Sequence, residues 1–342
     1  MVSRVLKIAG LIALAMLVLA SAIWSGLTLL YTVPQNGLHI VLATGAAMAS
    51  AVVLAALFSG RLRWRALAVQ ALVFTAVMSW WTQIAPSNER PWQTDVSVLP
   101  YATIEGDMVT VHNVRNFDYR SETDFTPAWY DKRLDLRKLE GVDLVAVYWM
   151  GPAIAHIFLS FAFTSGDHLA VSIETRKEQG EDYSTLKGFF RRYELYYVVA
   201  DERDVIRLRT NYRQNPPEDV YVYRLQGRSL EGARHIFIDY INKINSLKAM
   251  PEFYNTLTTN CTTNIWFHSR VNPDHLPFSW KILASGYVPQ YLHESGLLDR
   301  SLPFAELQRR SHVNPRAQAA ADAPDFSRRI RAEADAAHPS QP

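Results

Sequence analysis

Three long stretches without a single Asp, Glu, Lys or Arg lie within the first 85 residues: Ile8 to Tyr31, Gly37 to Ser59 and Ala66 to Ala85. Each is long enough to cross about 30 Å of hydrocarbon as a helix, the one single-segment structure that satisfies its own backbone where water is absent. Three transmembrane helices are therefore expected over residues 1–85. Arg4 and Lys7 ahead of the first stretch could introduce a signal peptide, but its length and the two spans behind it favour an uncleaved anchor. Basic flanks set the orientation. Arg4 and Lys7 precede the first span, Arg61, Arg63 and Arg65 separate the second from the third, and the Thr32 to Asn36 connection carries no charge. Basic flanks stay in the cytoplasm, so everything after the third span is expected outside, with Trp80 and Trp81 at the interface. A net charge of +2 and the lack of a basic-aromatic pattern argue against a nucleic-acid partner.

Beyond the anchor the patterning is mixed, and the expected class is α+β with an antiparallel sheet. Residues 86–100, with Pro86, Pro91 and Pro100, read as a linker that keeps a domain at 101–313 near the bilayer. Residues 101–104 and 108–114 alternate around Glu105-Gly106-Asp107 as a hairpin, and Asn116 to Leu139 shows no clear period and reads as irregular. Leu144 to Trp149, Ile154 to Phe163, His168 to Thr175 and Asp219 to Leu225 read as strands, the second and third joined by Thr164-Ser165-Gly166-Asp167. Leu186 to Phe190, Tyr193 to Val199 and Asp204 to Arg213 are mixed in character. Leu230 to Leu247 has helical spacing. Residues 314–342, rich in Ala, Asp, Arg and Pro, read as a polar tail, a frayed helix or disordered.

The chain has one cysteine, Cys261, so no internal disulfide can form. Thr258, Thr259 and Asn260 precede it and Thr262, Thr263 and Asn264 follow, a setting for a helix start rather than for a buried cysteine acting as a small hydrophobe. In a first helical turn, backbone N–H groups and the helix dipole favour a thiolate. A thiol nucleophile needs a base, and His156 lies inside the apolar run Ile154 to Leu159, where an imidazole has no packing reason to be. A hairpin centred near Ser165 sets Glu174 opposite His156 or one position away, which makes Glu174 the first choice for the group that orients the base and Ser172 the second. The plainer reading of each is structural: a satisfied strand histidine, and a solvated glutamate paired with Arg176. His112, His168, His268 and His275 rank lower. No carboxylate or histidine spacing suggests a metal site, no glycine-rich nucleotide motif is visible, and no cofactor is expected. Among Arg191, Arg192, Arg203, Arg207, Arg209 and Arg213, a solvated sheet face is set against one or two groups that grip a lipid phosphate.

A histidine on a strand, a polar partner on the next strand and a cysteine opening a helix about a hundred residues later resembles the circularly permuted papain-like thiol enzymes of the NlpC and lecithin:retinol acyltransferase type. The wording of Asn116-Phe117-Asp118-Tyr119-Arg120, His156 to Phe161, Val171 to Arg176, Gly180-Glu181 and Phe253 to Thr263 is similar to the Lnb N-terminal periplasmic domain family. The resemblance implies a bacterial inner-membrane protein with its thiol domain in the periplasm, and a family that includes an enzyme moving an acyl chain from phospholipid to the amino terminus of lipoproteins. The expected function is then a membrane-anchored cysteine acyltransferase or acyl hydrolase working through a thioester on Cys261, with His156 as base and Glu174 orienting it. Membrane phospholipid and lipoproteins are the implied partners. Two other classes compete: a cysteine peptidase or amidase acting on cell-wall peptides, and a non-catalytic envelope binding module in which the thiol is incidental.

Overall fold

A computed structural model describes residues 2–33, 37–227 and 229–332, so part of the Thr32 to Asn36 connection and residues 333–342 of the tail lie outside the described residues. The chain forms two units, one made of residues 1–87 with 183–193 and the other of residues 88–182 with 194–342.

The first unit holds α1 (Val2–Thr32), α2 (Leu38–Ala56) and α3 (Arg63–Thr82). By length and composition α1 and α2 could each cross a membrane. The third predicted span is also a helix, but Arg63 and Arg65 in its first turn and Gln70 further along make it less apolar than the other two. Small and aliphatic side chains pack the three together around Val18, Val53, Leu57 and Ala66. Gln70 is satisfied inside: it donates to Ser21 Oγ at 2.9 Å and accepts from Ser50 Oγ at 3.1 Å. Helices in hydrocarbon associate through such small residues and cross-helix hydrogen bonds, since lipid offers no partner to a buried amide. Leu17, Val52 and Leu72 face outward on the three helices.

The second unit is built on a sheet. Its strands are β1 (Tyr101–Glu105), β2 (Met108–Arg115), β3 (Asp118–Tyr119), β4 (Phe125–Thr126), β5 (Trp129–Asp135), β6 (Leu139–Tyr148), β7 (Ala155–Phe163), β8 (His168–Arg176), β9 (Glu194–Ala200) and β10 (Asp219–Arg224). The main sheet runs β1-β2-β9-β8-β7-β6-β10 with β5 also on β2, while β3 and β4 pair separately. Among the described residues every ladder is antiparallel except the single β2–β9 rung at Arg115 and Ala200. The helices are α4 (Glu202–Arg207), continued by a wider turn over Leu208–Tyr212, then α5 (Leu230–Ala249), α6 (Cys261–Ser269), α7 (Trp280–Leu283), α8 (Val288–Glu294), α9 (Phe304–Ser311), α10 (Asn314–Ala319) and α11 (Phe326–Arg329). The α+β class and the antiparallel character of the sheet are as expected.

Both faces of the sheet are covered, which explains why β7 is apolar apart from His156 and Ser160 and why β9 is buried throughout. On one face Val145, Val147, Phe158, Val198 and Val220 meet Val205 and Ile206 of α4 and the carboxyl-terminal residues Val313, Ala317, Phe326 and Ile330. On the other, the ring of Phe161 packs edge-on to Phe237 and Tyr240 of α5.

Three readings of the sequence are corrected here, and one stretch left without a type is assigned. Residues 88–100 are not a free linker: Trp92 and Val96 are core residues, and Arg176 stacks over the Trp92 ring at 4.4 Å. The stretch read as irregular contains β5, an outer strand whose Tyr130, Asp131, Lys132 and Arg133 hide the alternation. Asp204 to Arg213 is helical. The tail read as disordered folds at least to residue 332, because Val313, Ala317, Ala320, Phe326 and Ile330 all point into the core.

Candidate active site

The strand pairing of β7 with β8 ends at Leu159–Val171, and continuing that register sets Glu174 level with His156. Cys261 is the first residue of α6, and Asn260 caps it by accepting the Thr263 N–H at 2.8 Å. The polar flanks of the cysteine hold this helix start in place: Thr262 Oγ1 donates to the Ile282 carbonyl at 2.6 Å and Asn264 Nδ2 to the Thr259 carbonyl at 2.8 Å. With the β7–β8 ladder ended two residues earlier, the Ile157 N–H donates to the Cys261 sulfur, which also hydrogen-bonds with His156.

The three residues expected to form the site are thus brought together. His156 Nε2 lies 2.7 Å from Ser172 Oγ and 3.0 Å from Glu174 Oε1, which leaves Nδ1 for the sulfur. Ser172 Oγ in turn donates to Glu174 Oε1 at 2.7 Å. Glu174 and Ser172, weighed as alternatives from the sequence, therefore act on the same ring nitrogen.

Electrostatics follow from this packing. Burial disfavours an imidazolium, but the Glu174 charge and the bonds to Cys261 and Glu174 outweigh it and push His156 up to about 9. Burial would likewise raise the Cys261 thiol, but hydrogen bonding to His156, its charge and the Ile157 N–H bring it below its ordinary value. Glu174 is held well below the usual carboxylate range, its burial overcome by His156, Arg209 and the Ser172 hydroxyl. The arrangement can therefore hold a thiolate beside an imidazolium.

Sequence reasoning missed two members of this cluster. Arg209, weighed only as a solvated sheet residue or a phosphate ligand, donates to Glu174 Oε1 at 2.9 Å and lies 3.4 Å from Glu218. The Ile157 amide is invisible to any reading of side chains. The phosphate idea does not fit the arginines whose partners are seen: Arg207 reaches Asp118 and the Ala321 carbonyl, Arg213 reaches Glu122 and Glu218, and Arg191 reaches backbone carbonyls of its own unit. His268, on α6 two turns after Cys261, is clamped between Asp239 and the Tyr197 hydroxyl, each at 2.7 Å, and fastens that helix to α5 and β9. Asp143, His168 and Glu202 bring three donor atoms within 4.8 Å of one another, but the Arg331 guanidinium already spans both carboxylates.

A cavity of about 500 Å³ adjoins the site, with Ile157 and Thr262 in its wall. Leu144, Leu159, Ile236 and Ile265 make its surface mainly apolar.

No curated protein and no solved structure matches the sequence. The family model described as the Lnb N-terminal periplasmic domain matches residues 125–286, which take in His156, Ser172, Glu174, Arg209 and Cys261. The Asn116 to Arg120 motif falls outside the match; within the same unit the Phe117 N–H and the Tyr119 hydroxyl donate to Asp204, at 2.7 and 3.3 Å. Apolar helices near the amino terminus and this domain together fit a membrane protein of the cell envelope. Residues 125–286 thus carry the Lnb N-terminal periplasmic domain.

Proposed function

We propose that the chain is an inner-membrane-anchored thiol enzyme, an acyltransferase or acyl hydrolase that carries an acyl group on Cys261 in a periplasmic domain of the permuted papain-like kind. The observation that carries the reading is the pairing of Cys261 and His156 beside a mainly apolar cavity, a lining suited to an acyl chain and poorly suited to a cell-wall peptide. The thiolate attacks the carbonyl carbon of a phospholipid ester. The ester C–O bond breaks, the departing lysolipid oxygen takes the proton from His156, and a thioester remains. An amine, as at a lipoprotein amino terminus, or water then attacks the thioester; His156 takes its proton and the thiolate leaves. A third span is part of the proposal, because Gln70 on α3 is hydrogen-bonded to Ser21 and Ser50 within the bundle and would otherwise be costly in lipid.

The test is competitive labelling of the full-length protein in membranes with two chloromethyl ketones, one on a palmitoyl chain and one on a cell-wall tripeptide. At least tenfold faster modification of Cys261 by the palmitoyl reagent is expected. Faster modification by the peptide reagent would replace the acyl reading with a peptidase one, and failure of both to react in folded protein would leave a binding module.

A further inference from the structure

Residues 183–193 belong to the helical unit although they follow the last of its helices by a hundred residues. The chain enters this segment a few residues after β8, which carries Ser172 and Glu174, and leaves it directly into β9. Within the unit, Thr32 Oγ1 at the end of α1 donates to the Phe190 carbonyl at 2.9 Å, and the Phe190 ring meets Tyr31 at 5.7 Å. Arg191 Nη1 donates to the carbonyls of Trp81, Thr82 and Ile84 at 3.0, 3.1 and 3.2 Å, and its guanidinium lies over the Trp81 ring at 4.2 Å. Trp81 and Thr82 are the last two residues of α3 and Ile84 follows just beyond it, so a cation bonded to their carbonyls caps the helix end both by hydrogen bonds and by the helix dipole. Arg191 holds a φ of 54°, a backbone conformation uncommon outside glycine, which its tertiary bonds sustain.

These contacts fix the depth of the segment. It lies at the carboxyl ends of α1 and α3, which share one end of the bundle because α2 runs back between them. Its outward residues do not suit water: Tyr183, Leu186 and Phe189 are 51%, 52% and 37% exposed within eleven residues. Aromatic and aliphatic side chains presented together at the level where helices leave the hydrocarbon, with Trp80 and Trp81 beside them, are what a headgroup–acyl boundary accommodates.

We infer that residues 183–193 are an interfacial anchor that seats Tyr183, Leu186 and Phe189 in the lipid leaflet reached by the ends of α1 and α3. The occupant of this surface is phospholipid. The inference rests on the membrane reading of the helices and not on the thiol chemistry. It makes the polypeptide that meets lipid continuous with the strand that orients His156.

The experiment uses full-length protein carrying Cys261→Ser, reconstituted in phosphatidylethanolamine–phosphatidylglycerol vesicles. Single cysteines replace Leu186, Phe189, Val52 on the outward face of α2, or Glu105 at the β1–β2 turn, and each carries an environment-sensitive fluorophore. The labels at 186 and 189 should be blue-shifted and quenched most by lipid spin-labelled near the headgroup. The label at 52 should be quenched most by lipid labelled deep in the chain, and that at 105 by neither. If 186 and 189 behave like 105 while 52 is quenched, the anchor is overturned and the membrane reading stands. If 52 is not quenched either, the membrane reading falls and the anchor with it.

Discussion

Ser172 stands between His156 and Glu174, so the proton on His156 Nε2 has two acceptors and the ring one orientation. The imidazolium–thiolate pair exists above the lowered thiol pKa and below about 9, where His156 gives up its proton. Activity should therefore rise with thiol ionisation and fall as pH increases through about 9, because the leaving oxygen then lacks its proton donor. Glu174→Gln removes the charge that holds His156 up; it should cost about a hundredfold in kcat/KM and move the alkaline limb to lower pH. Cys261→Ser and His156→Ala should each cost on the order of ten-thousandfold with little loss of fold. An alkaline limb in Glu174→Gln unchanged from wild type would remove Glu174 from its orienting role. Because folded His156 binds its proton more tightly than in the unfolded chain, its protonation contributes stability that is fully present below about pH 6.5 and is lost as pH rises through about 9. Cys261, His156 and Glu174 were legible because each breaks a local rule: a thiol among threonines, an imidazole in an apolar strand, a carboxylate on the facing strand. Arg209 breaks none, and only the path of the chain after α4 brings it to Glu174.

The elements read least well were those whose stability comes from distant partners. In α10 and α11 apolar residues are too sparse to show a period, yet Phe326 and Ile330 are buried and Arg331 bonds to both Asp143 and Glu202. Those carboxylates are buried, and Arg331, 10% exposed, supplies them with a cation from a segment whose composition reads as solvated. Arg331→Met should cost about 3 kcal/mol, since it leaves buried carboxylates short of a partner while Arg224 still serves Asp143. Urea unfolding of the protein in detergent should show a lower midpoint with unchanged slope; a midpoint equal to wild type would mean the segment does not hold the sheet. β5 eluded the sequence for the opposite reason. Its exposed face is charged, and its pairing with β2 is interrupted by a shift between Val111 and Val114, so neither alternation nor register was visible in advance.

At the scale of the whole molecule, the decisive property is which compartment the sheet domain occupies. The lone thiol of lowered pKa has no second cysteine of the chain to capture it, and its chemistry differs between a reducing and an oxidising compartment. The helices supply the address. Arg61 sits between α2 and α3, and Arg63 and Arg65 in the first turn of α3, matching Arg4 and Lys7 ahead of the first apolar run, so three crossings would leave Ser87 and all that follows outside. Two crossings, with α3 lying on the cytoplasmic face, would put the domain inside instead. Gln70 and the Arg191 cap on the end of α3 favour three, since both bind α3 into its unit as a full member rather than as a surface helix. Alkaline phosphatase, which is active only outside the cytoplasm, separates these alternatives directly. Fusion after Ser87 should give high activity and fusion at Arg63 little, and the reverse pattern would return the thiol domain to the cytoplasm and remove periplasmic lipid and lipoprotein from the substrates it can reach.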